Sequence, residues 1–233
     1  MALPLLSSLA FAVFALAVPH VASRQASNTT QYYTVLEGDS IFSIAAKLDR
    51  GACDIARANR MMDAEHLFPG FSLIIPDAVS NPDNDTCLLQ AQNATATCIY
   101  GGPHDYTTVA NDTITRVALY KLNITVDSLW TQNAKMFNVS SPDEVLPANS
   151  FLKVPQCMPS VCTITAFEFT YGVFKDLAEK YGTTVGQIMT LNFHYNYSSA
   201  VGTATDEALG LSYPIITLPV GCRALVDNPS SNL

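Results

Sequence analysis

The chain has 233 residues, with 12 Lys plus Arg against 20 Asp plus Glu and a formal net charge of −8 at pH 7. So acidic a chain lacks the basic patches that hold nucleic acid or anionic membrane surfaces, whereas a neutral polysaccharide is indifferent to the sign.

Residues 1–23 read as a secretory signal rather than as part of the fold. The apolar run 3–18 is short, the positions around Ala17 and Ser23 offer small residues for cleavage, and no basic stop-transfer flank follows.

Residues 31–77 form the first unit. Tyr32, Tyr33, Thr34 and Val35 are aromatic or β-branched and predict a short strand. Asp39 stands where its carboxylate can cap a helix, and Ile41, Ile44, Ala45 and Leu48 give that helix one apolar face. A shorter helix is predicted over 54–59, a turn at Pro69 and Gly70, and a returning strand over 73–75. Residues 78–104 follow as a linker with little core of its own, marked by Asn81-Pro82 and Gly101-Gly102-Pro103 and tied down by Cys87 and Cys98.

Residues 105–156 repeat the pattern. Tyr106 stands to Asp112 as Tyr33 does to Asp39, and Ile114, Val117 and Ala118 supply the apolar face. Thr125 is the expected cap of a second helix, with Val126, Leu129 and Trp130 facing inward. Asn133 takes the place of Asn59, and both are expected to bond backbone locally. A third, degenerate copy spans 163–220, where Phe174, Leu177, Ala178 and Tyr181 form a helical stripe and Thr184 to Gln187 forms a capping box. Asn192 holds the position of Asn59, but Gly172 falls in the slot of Asp39. Residues 223–233 are a C-terminal tail. The fold class expected is α+β, three small βααβ modules joined by disulfide-tied linkers.

Cys53, Cys87, Cys98, Cys157, Cys162 and Cys222 are even in number and lie near module edges rather than in metal-type pairs, so they read as three disulfides of open connectivity. Sequons at Asn28, Asn84, Asn93, Asn111, Asn123, Asn138 and Asn196 mark surface positions for glycans.

The order Tyr33-Thr34-Val35, Gly38-Asp39-Ser40-Ile41, Ile44-Ala45, a lone Asn59, Leu67-Phe68-Pro69-Gly70 and Ile75-Pro76 resembles a LysM module. Across 31–222 the chain resembles the secreted three-LysM effectors of fungi. The resemblance implies a non-catalytic protein that binds chitin oligosaccharides, hiding them from host receptors or shielding hyphae from chitinases. A structural wall protein and a peptidoglycan binder are the alternatives it leaves. It also implies where sugar would lie, in a groove between two loops. In the first module these hold Gly38, Asp39, Ser40 and Ile41 opposite Ala64, Glu65, His66 and Leu67. In the second, Asn111, Asp112, Thr113 and Ile114 face Asp143, Glu144, Val145 and Leu146. For the third, Gly172, Val173 and Phe174 would face Glu207, Ala208 and Leu209. Ligand could also bridge protein molecules into larger assemblies.

An enzyme is the competing class. Glycoside hydrolysis needs two carboxylates held ~5 to 9.5 Å apart across a cleft. Asp143-Glu144 and Asp206-Glu207 are adjacent pairs on short loops, where side chains diverge. The histidines form no spaced metal cluster, and neither a catalytic residue, a metal nor a cofactor is expected.

Overall fold

The computed structural model describes residues 31–101, 105–195 and 213–225. The predicted signal, the sequons at Asn28 and Asn196, Glu207 to Leu209 and most of the predicted tail therefore lie outside the described residues.

Strand β1 (Gln31–Thr34) pairs antiparallel with β2 (Ser72–Ile75), and helices α1 (Ile41–Leu48) and α2 (Ala52–Ala58) lie between them in sequence. Ile41, Ile44, Ala45 and Ile55 are buried beneath the strands. Full burial of an Ile is worth roughly 1.5–3 kcal/mol, enough to override the weak helix propensity of β-branched residues.

After the short strand β3 (Ile99–Tyr100), β4 (Asp105–Thr107) pairs antiparallel with β5 (Phe151–Lys153). Between β4 and β5 run α3 (Ile114–Arg116), its π-helical continuation Val117–Leu122, and α4 (Val126–Phe137). The π-helical turn is not legible in the apolar spacing. Strand β6 (Gln156–Cys157) runs parallel to β3, and the long strands β7 (Ser160–Glu168) and β8 (Ile215–Ala224) form an antiparallel ribbon. Helices α5 (Phe174–Tyr181) and α6 (Val185–Leu191) lie between β7 and β8, and β8 takes in Arg223 and Ala224, which the sequence reading puts in the tail.

The cysteines pair as Cys53–Cys87, Cys98–Cys157 and Cys162–Cys222. The segment read as a linker with little core of its own lends Cys87, Leu89 and Ile99 to the shared core, Cys87 through its bond to Cys53 and Ile99 through the pairing of β3 with β6.

Three asparagines share one geometry. Asn59 Nδ2 donates to the Ile55 and Ile74 carbonyls at 2.8 and 2.7 Å while its Oδ1 accepts from Ile74 N–H at 2.8 Å. Asn133 does the same with Leu129 and Lys153, and Asn192 with Ile188 and Thr217. The bonds are not merely local, since each amide clamps the end of a helix to a strand far along the chain.

Candidate functional site

The loop after β1 is shaped by Gly38 at φ +84 and by Asp39. Asp39 is not the helix cap, because Ser40 accepts from Ser43 N–H and closes a reciprocal capping box. Asp39 Oδ2 instead accepts from Leu36 N–H at 2.8 Å and from the Tyr33 hydroxyl at 2.9 Å, and these bonds draw its carboxyl below the usual range. In the second unit Thr113 caps α3, and Asp112 Oδ2 accepts from Val109 N–H at 2.9 Å and the Tyr106 hydroxyl at 2.7 Å.

Of the residues expected to line the first groove, Gly38, Ser40 and Glu65 are exposed and Asp39 and Leu67 half-buried. Ile41, Ala64 and His66 are buried, so Ile41 and Ala64 belong to the core rather than to a sugar face. Burial, together with the Lys121 ammonium, pushes His66 down to about 2, so its imidazole is neutral, and it meets Phe68 edge-on. In the second groove Asn111, Asp143 and Val145 are exposed, Thr113 and Glu144 are half-buried, and Asp112, Ile114 and Leu146 are core. The Glu144 carboxylate accepts from the Ser140 hydroxyl and N–H, which fastens its own loop and draws its pKa down.

The two grooves differ in how their loops meet. In the second unit Leu146 N–H donates to the Asp112 carbonyl at 2.7 Å, Thr115 N–H donates to Pro142 at 3.0 Å, and Thr113 pairs with Val145 as an antiparallel bridge. Among the described residues, no backbone hydrogen bond of this kind joins 38–41 to 64–67. Ser40, Glu65 and His66 use backbone groups within their own loops, but the Asp39 carbonyl and Leu67 N–H, the counterparts of the Asp112–Leu146 pair, do not bond each other, so the two loops stay apart. The first loop of the third unit is consumed by packing, with Gly172 N–H on the Arg57 carbonyl and Phe174 N–H on that of Met61. Arg57 also forks onto both Asp176 oxygens at 2.9 and 3.0 Å.

Sequence reasoning missed a buried charge cluster between the first and second units. Lys121 Nζ lies 3.4 Å from Asp63 and 3.0 Å from Asp112 and donates to the Tyr106 hydroxyl at 2.7 Å. A second bridge, Arg116 to Glu65 at 2.8 Å, lies at the rim. Nearby, His66, Phe68, Phe151, Phe193 and Tyr195 help line a cavity of about 240 Å³ at the junction of the three units. Trp130 packs half-buried against the core, as its helical position predicts. No His/Cys/Asp/Glu group suited to a metal occurs among the described residues, and no helix among them is long and apolar enough to cross a membrane.

The LysM domain profile matches residues 33–76 and 174–200, so the stretch read as degenerate is matched while 105–156 lies outside both matches. "Secreted LysM effector LysM13" of Penicillium expansum is 54% identical over 227 residues, covering 95% of this chain and 94% of its own. "Secreted LysM effector ECP6" of Passalora fulva is 39% identical over 71% of this chain and 72% of its own. "Secreted LysM effector ELP2" of Colletotrichum higginsianum is 37% identical over 53% and 66% respectively. With this identity maintained along nearly the whole of both chains, the protein belongs to the family of secreted LysM effectors.

Proposed function

We propose that the mature chain is a non-catalytic chitin-binding protein built of three LysM-type modules, 31–77, 105–156 and 163–220. The observation that carries the threefold reading is the asparagine clamp, repeated with the same geometry at Asn59, Asn133 and Asn192. A clamp of that form defines a helix-to-strand closure, and the third copy retains it even though Gly172 replaces the acidic turn.

The first module is the principal binding site. Its open loops present Gly38, Ser40, Glu65 and Leu67, and backbone N–H and C=O groups there can pair with acetamide and hydroxyl groups of an N-acetylglucosamine oligomer. The second groove is the weaker one, because its cross-loop groups already satisfy each other. The third is occupied by contacts to the first module. Sequestering chitin fragments from host receptors, or coating hyphae against chitinases, is the role assigned to this binding.

Calorimetry of the secreted protein with chitin oligomers of increasing length tests the reading. Tight binding of long oligomers at one equivalent per chain supports a single principal groove; three equal equivalents would overturn that assignment. Absence of binding at every length would remove the chitin reading and leave peptidoglycan fragments as the next ligand to titrate.

A further inference from the structure

Asn111 joins a glycan attachment sequence to the turn that opens the second groove. It heads the sequon Asn111-Asp112-Thr113, it is exposed, and its backbone is left-handed at φ +65. Gly38, at φ +84, precedes Asp39 in the same way in the first unit. Only residues tolerant of that backbone suit the position, and asparagine is the non-glycine choice best adapted to it. Here the substitution also creates a glycan attachment point.

Asn111 lines a pocket of about 260 Å³ between the first and second units, together with Asp63, Glu65, His66, Asp112 and Arg116. Glu65 belongs to the proposed first groove and Asn111 to the second, while His66 and Asp112 lie buried beneath them. The lining is polar and its charges are paired, with Glu65 on Arg116 and Lys121 between Asp63 and Asp112. Over that buried floor the accessible rim is Glu65, Arg116 and Asn111, whose charge-assisted donors and acceptors suit the hydroxyl and acetamide groups of a neutral sugar.

The two innermost sugars of an asparagine-linked glycan are N-acetylglucosamines joined by a β-1,4 bond. That disaccharide is the repeating chemistry of chitin. We infer that a glycan on Asn111 places its innermost sugars in this pocket, as a covalently attached ligand that competes with external chitin at the shared rim of the two grooves. The inference rests on the chitin-binding reading above. Tethering holds the internal sugar at an effective concentration on the order of millimolar, so a free oligomer must compete with it for the rim.

The test compares three forms of the secreted protein by calorimetry with chitotetraose: fully glycosylated, enzymatically deglycosylated under native conditions, and Asn111→Gly. Glycine suits the left-handed backbone, and matching melting temperatures establish that the variant folds. Glycopeptide mass spectrometry first reads the occupancy of Asn111. The expected result is an occupied Asn111 and an affinity at least fivefold higher in both the deglycosylated and Asn111→Gly forms. An unmodified Asn111, or binding of equal strength in all three forms, overturns the inference while leaving chitin binding intact. Failure of all three forms to bind would instead remove the chitin reading, and this inference with it.

Discussion

The Tyr106 hydroxyl donates to Asp112 Oδ2 at 2.7 Å inside a fully buried cluster, whereas the equivalent bond from Tyr33 to Asp39 lies near solvent. The two bonds hold the same turn but carry different burdens. Tyr106 also accepts from Lys121, so Tyr106→Phe takes one bond from a buried ammonium and one from a buried carboxylate oxygen, leaving each under-satisfied. An unsatisfied buried polar group costs about 1–3 kcal/mol, and Tyr106→Phe should show a loss of that size in denaturant unfolding. Tyr33→Phe should cost clearly less, since water replaces the lost bond. Equal losses would mean that the burial difference has no energetic weight.

Lys121 itself is the most sensitive of these positions. Removing its charge leaves Asp63 and Asp112 buried side by side, and breaking a buried pair by deleting one partner costs about 3–5 kcal/mol. Lys121→Met should therefore lower the melting temperature severely. Replacing all three by apolar residues should recover much of the loss, because no buried charge then remains without a partner. A Lys121→Met protein as stable as the parent would show that the cluster is hydrated.

Much of this was legible beforehand, and the misses have a common cause. The apolar stripes at Ile41, Ile44 and Ala45 and at Phe174, Leu177 and Ala178 found their helices because burial of one face is a local pattern. Position 39 misled because an aspartate beside a serine offers two caps, and the demand of Leu36 N–H and Tyr33 for an acceptor decides between them. The burial of Lys121 comes from the first unit packing onto the second, which no spacing expresses. The closure of the second groove by Thr113 and Val145 is likewise a relation between distant segments. Asn123 and Asn138, read as sequons, are also left-handed helix ends at φ +54 and +51.

Acid should destabilise the protein through His66. Its folded pKa is held down to about 2 by burial and by Lys121, below the value of 6.5 that it recovers on unfolding. Between those values the unfolded chain binds one more proton than the native chain, so stability falls as pH drops. The slope from this residue alone approaches about 1.4 kcal/mol per pH unit once the pH lies well below 6.5. Urea midpoints measured from pH 7 to pH 4.5 should fall more steeply in the parent than in His66→Gln. Parallel curves would mean that His66 takes up its proton in the folded state.

The two turn glycines of the first unit separate groove from scaffold. Gly38 at φ +84 and Gly70 at φ +90 both face open space, so alanine at either meets no neighbour and suffers only the strain of its backbone. That strain is worth about 1–2 kcal/mol, and Gly38→Ala and Gly70→Ala should lose similar stability. Binding should distinguish them. Gly38 belongs to the proposed sugar-contacting loop, where an added methyl group stands in the path of the ligand, so Gly38→Ala should weaken chitotetraose binding about tenfold, ~1.4 kcal/mol. Gly70 lies in the turn entering β2, outside the proposed contacts, and Gly70→Ala should bind as the parent does. If both variants bind normally, the loop after β1 does not touch the sugar, and the binding face must be sought on the aromatic wall of Phe68, Phe151 and Phe193.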